Sequence, residues 1–109
     1  LYCGASGDHN PIHVDIDFAK AAGFPDVFAH GMLVMGYLGQ ALTDAVAPSR
    51  IRSFSTRFAA ITQLGAQLTC EGMVTELIEQ GGEQRAKLAL TTKDQHGEIK
   101  LAGEAIIAL

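Results

Sequence analysis

The sequence predicts an α+β fold in which an antiparallel sheet covers one long apolar helix. Three observations predict it. Apolar residues recur at spacings of three and four over residues 31–46, the period changes to two after residue 50, and Gly-containing turns punctuate the second half. A chain of 109 residues holds one such core and not two, and it has no internal repeat or linker, so residues 1–109 read as a single domain.

The elements follow in order. Ala5-Ser6-Gly7-Asp8-His9-Asn10-Pro11-Ile12-His13 is rich in turn-formers, and Pro11 disfavours helix at Asn10, so this stretch reads as a loop. Val14-Asp15-Ile16-Asp17 leads into a short helix over Asp17 to Ala22, with Asp near its entry, Gly23 just past its exit and Pro25 blocking continuation. The stronger helix runs from Gly31 to about Val46. Met32, Leu33, Met35, Leu38, Leu42 and Val46 mark its stripe; Val34, Ala41 and Ala45 widen it until burial on nearly all sides is expected. Gly36 and Gly39 leave room there for close approach. Ala47-Pro48-Ser49 ends the helix. Four strands are then expected, over 51–58, 67–79, 84–94 and 99–109, with turns at Gly81-Gly82 and Gln95-His96-Gly97.

Composition narrows the function. Hydrophobic residues make up 48% and charged residues 18%, the pattern of a soluble globular domain. A formal charge of -4 provides no basic surface, so no nucleic-acid partner is expected. No apolar run approaches the ~20 residues that cross a bilayer, so no membrane partner is expected, and no signal-peptide pattern opens the sequence. Cys3 and Cys70 lack CxxC spacing and companion ligands. They are expected to be reduced thiols of a cytoplasmic protein, with no metal and no cofactor.

Chemistry concentrates in the loop before the helices. It brings Asp8, Asn10 and His13 within a few residues of one another. By residue type alone, Asp8 and Asn10 can be turn-formers and His13 a space-filling or capping residue. Equally, an Asp and a His flanking one water supply acid and base where His titrates.

The spacing carries more. Tyr2 and Gly7-Asp8-His9-Asn10-Pro11-Ile12-His13, followed by a short helix and then by Ala29-His30-Gly31-Met32 at the head of the long one, resemble the (R)-specific enoyl-CoA hydratases and MaoC-like dehydratases over essentially the whole chain. The resemblance implies the hot-dog fold, an antiparallel sheet wrapped around a central helix. It also implies a strand before the motif that this sequence, starting at Leu1, does not contain, so the domain is expected to be N-terminally incomplete. The implied activity is reversible (R)-specific hydration of trans-2-enoyl thioesters, carried by coenzyme A or acyl carrier protein, to 3-hydroxyacyl thioesters. Asp8 and His13 resemble the pair that activates water and moves the α-proton, and Asn10 the residue that orients that water. Gly31 resembles the glycine whose backbone N–H binds the thioester oxygen. That role also has a physical basis, because enolate charge grows on this oxygen and a helix N-terminus favours it.

The remaining residues have plainer readings. His30 is expected to support the loop, His9 to face elsewhere, and His96 to be solvated in a hairpin turn. Cys3 and Cys70 are expected to be packing residues, and Met32 and Met35 core residues that could also line an acyl pocket. Gly36 stands where some relatives carry a Ser. The alternatives are a hot-dog thioesterase and a non-catalytic partner subunit of a heterodimeric dehydratase. The first usually needs a carboxylate on the central helix, where only the distant Asp44 is found, and the second is expected to lose Asp8 or His13. A single short sheet leaves an open edge, and hot-dog proteins resembling this one join such edges, so a homodimer or a larger assembly of dimers is expected.

Overall fold

The computed structural model describes residues 1–109. Three helices lead into four strands: α1 (Tyr2–Ser6), α2 (Ile16–Ala21), α3 (Gly31–Ala45), β1 (Ile51–Phe58), β2 (Thr69–Gln80), β3 (Glu83–Lys93) and β4 (Ile99–Ala108). The strands form one antiparallel sheet in the order β1-β4-β3-β2. The expected helix and four strands are present, with ends within a few residues of those read from the sequence.

Local chemistry explains the boundaries. The Asp15 carboxylate accepts from the N–H groups of Asp17 and Phe18 and caps α2. Gly81 and Gly82 both have positive φ, 61° and 78°, so they close a two-residue hairpin between Gln80 and Glu83 whose twist matches the strands. Asp94 Oδ1 accepts from the N–H groups of His96 and Glu98 and folds the turn into β4. Gly103 lets β4 approach β1 closely, because a Cβ there would lie 2.1 Å from the Ser55 carbonyl oxygen.

The core is a one-sided contact. Val34, Leu38 and Leu42 recur every four residues on α3 and face Ala86, Leu90, Leu101, Ala105 and Ile107 of the sheet. The expected all-round burial of α3 is not met: Met32 and Tyr37 on its other faces are 57% and 50% exposed. A four-stranded sheet spans one side of a helix and leaves the rest to be covered by something else. Gly39 receives the Phe54 ring, while Gly36 faces open space.

Two further features go beyond the sequence reading. A short helix, α1, runs into the start of the expected loop and overlaps it at Ala5 and Ser6, its end fixed by Gly7 at φ 76° with its N–H on the Cys3 carbonyl, and the loop holds a 3-10 turn over Pro11–His13. Both are too short to have a readable period. Secondly, β1 and β2 lie on opposite edges, so residues 59–68 must cross the sheet end. That crossing segment passes the start of α3, where Ala29 N–H donates to the Thr62 carbonyl and Phe28 pairs with Gln63.

Candidate active site

The motif loop folds against the start of α3. Asn10 Oδ1 accepts from Ile12 N–H at 3.2 Å and caps the Pro11–His13 turn, which points His13 back toward Phe28. His13 Nδ1 lies 2.8 Å from the Phe28 carbonyl oxygen. A carbonyl only accepts, so Nδ1 carries the proton, and in the neutral ring Nε2 presents a lone pair.

His30 does the corresponding work for Asp8. It is 6% exposed, its Nε2–H donates to the Asp8 carbonyl at 3.0 Å, and its ring stacks on His13 with centroids 4.0 Å and planes 25° apart. The Tyr2 ring packs edge-on against His30 as well. His30 therefore supports the loop, as its sequence position suggests.

These contacts bring Asp8, His13 and His30 together, with their ligand-capable atoms within 4.8 Å of one another. Two groups that each bond one water at ~2.8 Å stand roughly 4.6 Å apart. The 4.8 Å limit leaves the Asp8 carboxylate and the His13 imidazole close enough for one water to reach both. The same three side chains are donor types that a metal ion takes, with His13 Nδ1 and His30 Nε2 already held by backbone carbonyls.

Gly31 opens α3 beside this cluster. His30 is its N-cap residue but makes no side-chain cap, and the His30 carbonyl takes the N–H groups of Leu33 and Val34. The N–H groups of Gly31 and Met32 are left without a protein partner, at the positive end of a 15-residue helix. A side chain at 31 would force a shift, since a Cβ would lie 2.9 Å from the Phe58 ring.

An apolar cavity of about 330 Å³ begins here, lined by Phe28, Gly31, Val34, Phe58, Ile61 and Leu101 among others. Met32 and Met35, the expected lining residues, are not part of its wall: Met32 is largely exposed and Met35 packs against the core. The helix turns ~100° per residue, so the face shared by Leu38 and Leu42 brings Val34 to the cavity instead. Val34 was legible as part of that stripe. Phe58 and Ile61 were not, because only the crossing segment brings them to Gly31. Asn10 is exposed with Oδ1 committed to the turn, leaving its NH₂ as the available donor. Cys3 is not a plain packing residue, as its Sγ lies 2.9 Å from His9 Nδ1 at the surface. His96 is exposed.

Comparison with known proteins gives a consistent set of relatives. Residues 1–96 match the family described as the MaoC like domain. The chain is 33% identical over 109 residues to an (R)-specific enoyl-CoA hydratase of Rhodospirillum rubrum, a match covering 98% of this chain and 74% of that protein. It is 39% identical over 66 residues to the enoyl-CoA hydratase ChsH3 of Mycobacterium tuberculosis, covering 58% of this chain but only 23% of that protein's length. Among solved structures, the R-hydratase PhaJ1 of Pseudomonas aeruginosa superposes with a TM-score of 0.83 at 31% identity, covering 99% of this chain and 70% of that one. The hot-dog architecture of these relatives is the architecture found here.

Proposed function

Since the chain belongs to the MaoC-like domain family, by its match over residues 1–96 and its likeness to the R. rubrum protein, we propose that it is a hydro-lyase adding water reversibly to trans-2-enoyl thioesters of coenzyme A or acyl carrier protein. The observation that supports this reading is the placement of the Asp8 carboxylate within 4.8 Å of a His13 ring whose Nδ1 is held by the Phe28 carbonyl, so that Nε2 of the neutral ring can accept from a water between them. The water donates one hydrogen to each, which turns its lone pair toward C3 of the substrate. As the C3–O bond forms and the π electrons shift toward the thioester, one of the pair takes the water's proton and passes that same proton to C2, so that H and OH add across the double bond and both residues return to their starting state. Negative charge grows on the thioester oxygen meanwhile, and the free Gly31 N–H is the donor that stabilises it. Asn10, through its NH₂, orients the water. The acyl chain enters the apolar cavity beside Gly31.

The functional unit is a homodimer or an assembly of such dimers. Support comes from the uncovered apolar surface: β2 is a 12-residue edge strand carrying Met73, Val74 and Leu77 at 68%, 56% and 69% exposure, and α3 is bare on one side. The radius of gyration, 16.3 Å, exceeds the ~13 Å of a compact chain this long.

The test is incubation with crotonyl-CoA and with saturated butyryl-CoA. The proposal expects hydration of the first to (R)-3-hydroxybutyryl-CoA and no thiol release from the second. Thiol release from both identifies a thioesterase, and no reaction with either identifies a partner subunit.

A further inference from the structure

Lys100 is the least expected buried residue of the fold. It lies on β4 with 3% of its surface exposed. Its ammonium donates to the Ile61 carbonyl at 2.8 Å and is paired with Glu98 and, at 3.4 Å, with Asp94. Its own carbonyl accepts from the N–H groups of Ala59 and Ala60, at 2.9 and 3.3 Å. One residue thus holds a backbone group of each of three successive residues in the segment that crosses the sheet end.

That segment is the outer wall of the apolar cavity, which Ala59, Ala60, Ile61 and Thr62 line together with Phe58. Its far end is tied to the site as well. The Thr62 carbonyl takes Ala29 N–H, and the neighbouring Phe28 carbonyl takes His13 Nδ1. Burial works against the Lys100 charge, but the contacts to Glu98 and then Asp94 outweigh it, so its pKa is raised and it stays an ammonium. As a stability device this is poor. A buried charged cluster is often no better than apolar residues of the same volume, whereas its fixed geometry specifies one backbone arrangement.

We propose that Lys100 is a positioning residue whose ammonium fixes the Ala59–Thr62 wall of the cavity and so sets which acyl chains the site accepts. The proposal rests on the reading of this cavity as the acyl site. Without the ammonium, the Ile61 carbonyl loses its donor and the wall relaxes. Discrimination between short and longer chains then weakens.

The test is the ratio of dissociation constants for butyryl-CoA and octanoyl-CoA, measured by titration calorimetry on the wild type, on Lys100→Met, and on Lys100→Met combined with Asp94→Asn and Glu98→Gln. The triple variant leaves no unpaired charge and keeps the experiment informative where the single variant folds poorly. The ratio is expected to move about tenfold toward unity, the scale on which an apolar pocket discriminates by methylenes. A residue that merely stabilises the fold alters the active fraction and leaves the ratio alone, so an unchanged ratio in the triple variant overturns the proposal. A wild type that binds neither thioester overturns the acyl-site reading itself, and one that binds both without hydrating crotonyl-CoA overturns only the hydro-lyase reading.

Discussion

His13 Nδ1 and the Phe28 carbonyl oxygen, 2.8 Å apart, fix which nitrogen of the imidazole faces the site. The bond joins the motif loop to the residues just before α3 and, in the neutral ring, leaves Nε2 as the nitrogen without a proton. Nitrogen NMR of the ¹⁵N-labelled imidazoles is expected to show His13 as the Nδ1–H tautomer. An Nε2–H tautomer contradicts the assignment, because that ring would offer the water a donor and no base.

Gly31 and Phe58 are expected to behave as a pair. The Gly31→Ala methyl meets the Phe58 ring at 2.9 Å, so the ring or the helix start must shift. Overpacking of this kind costs about 1–3 kcal/mol. Chemical denaturation is expected to show that cost for Gly31→Ala alone and a much smaller increment when Gly31→Ala is added to Phe58→Ala. Equal increments in both backgrounds mean that the two positions do not touch.

Much of the fold was legible because its periods are long. Leu38 and Leu42 announce a helix, the alternation in residues 84–94 a strand, and Gly81-Gly82 the hairpin between β2 and β3. Spacing within one loop singled out Asp8, Asn10 and His13, and the fold brings Asp8 and His13 together with His30 while Asn10 caps the turn. What stayed hidden depends on connection rather than pattern. The crossing of residues 59–68 brings Phe58 and Ile61 to Gly31, and no local signal in those residues points there. The same applies to Lys100, a charged residue in a strand, whose burial follows from carboxylates on the preceding turn. Met32 and Met35 were placed near the cavity by composition, whereas helix phase turns Val34 toward it.

The one-sided core makes Leu38 one of its sensitive positions. Leu38 is 1% exposed and packs between α3 and the sheet. Leu38→Ala is expected to cost about 2–5 kcal/mol in urea unfolding. A loss under 1 kcal/mol contradicts the packing described.

Acid stability should depend on Glu83. Hydrogen bonds from Arg52 and then Arg85 lower its pKa from 4.5 to about 2. A carboxylate depressed on folding contributes stability that is present above its unfolded value and is lost as pH falls through the folded one. Thermal melts are therefore expected to show Glu83→Gln destabilised at pH 7, with the gap to wild type closing between about pH 4.5 and 2. The gap should also shrink in high salt, since the ion pairs are partly exposed. A gap that is constant across that pH window contradicts the assignment.

The central claim is that Asp8 and His13 act on one water. The most direct measurement is kcat for crotonyl-CoA hydration by Asp8→Asn, by His13→Ala and by the double variant, each checked for native fold. Each single change is expected to lower kcat by about 10²–10⁴-fold. The double variant should be little worse than either, because removing one member already disables the shared water. An Asp8→Asn protein that keeps most of its activity, or losses that multiply in the double variant, contradicts the account.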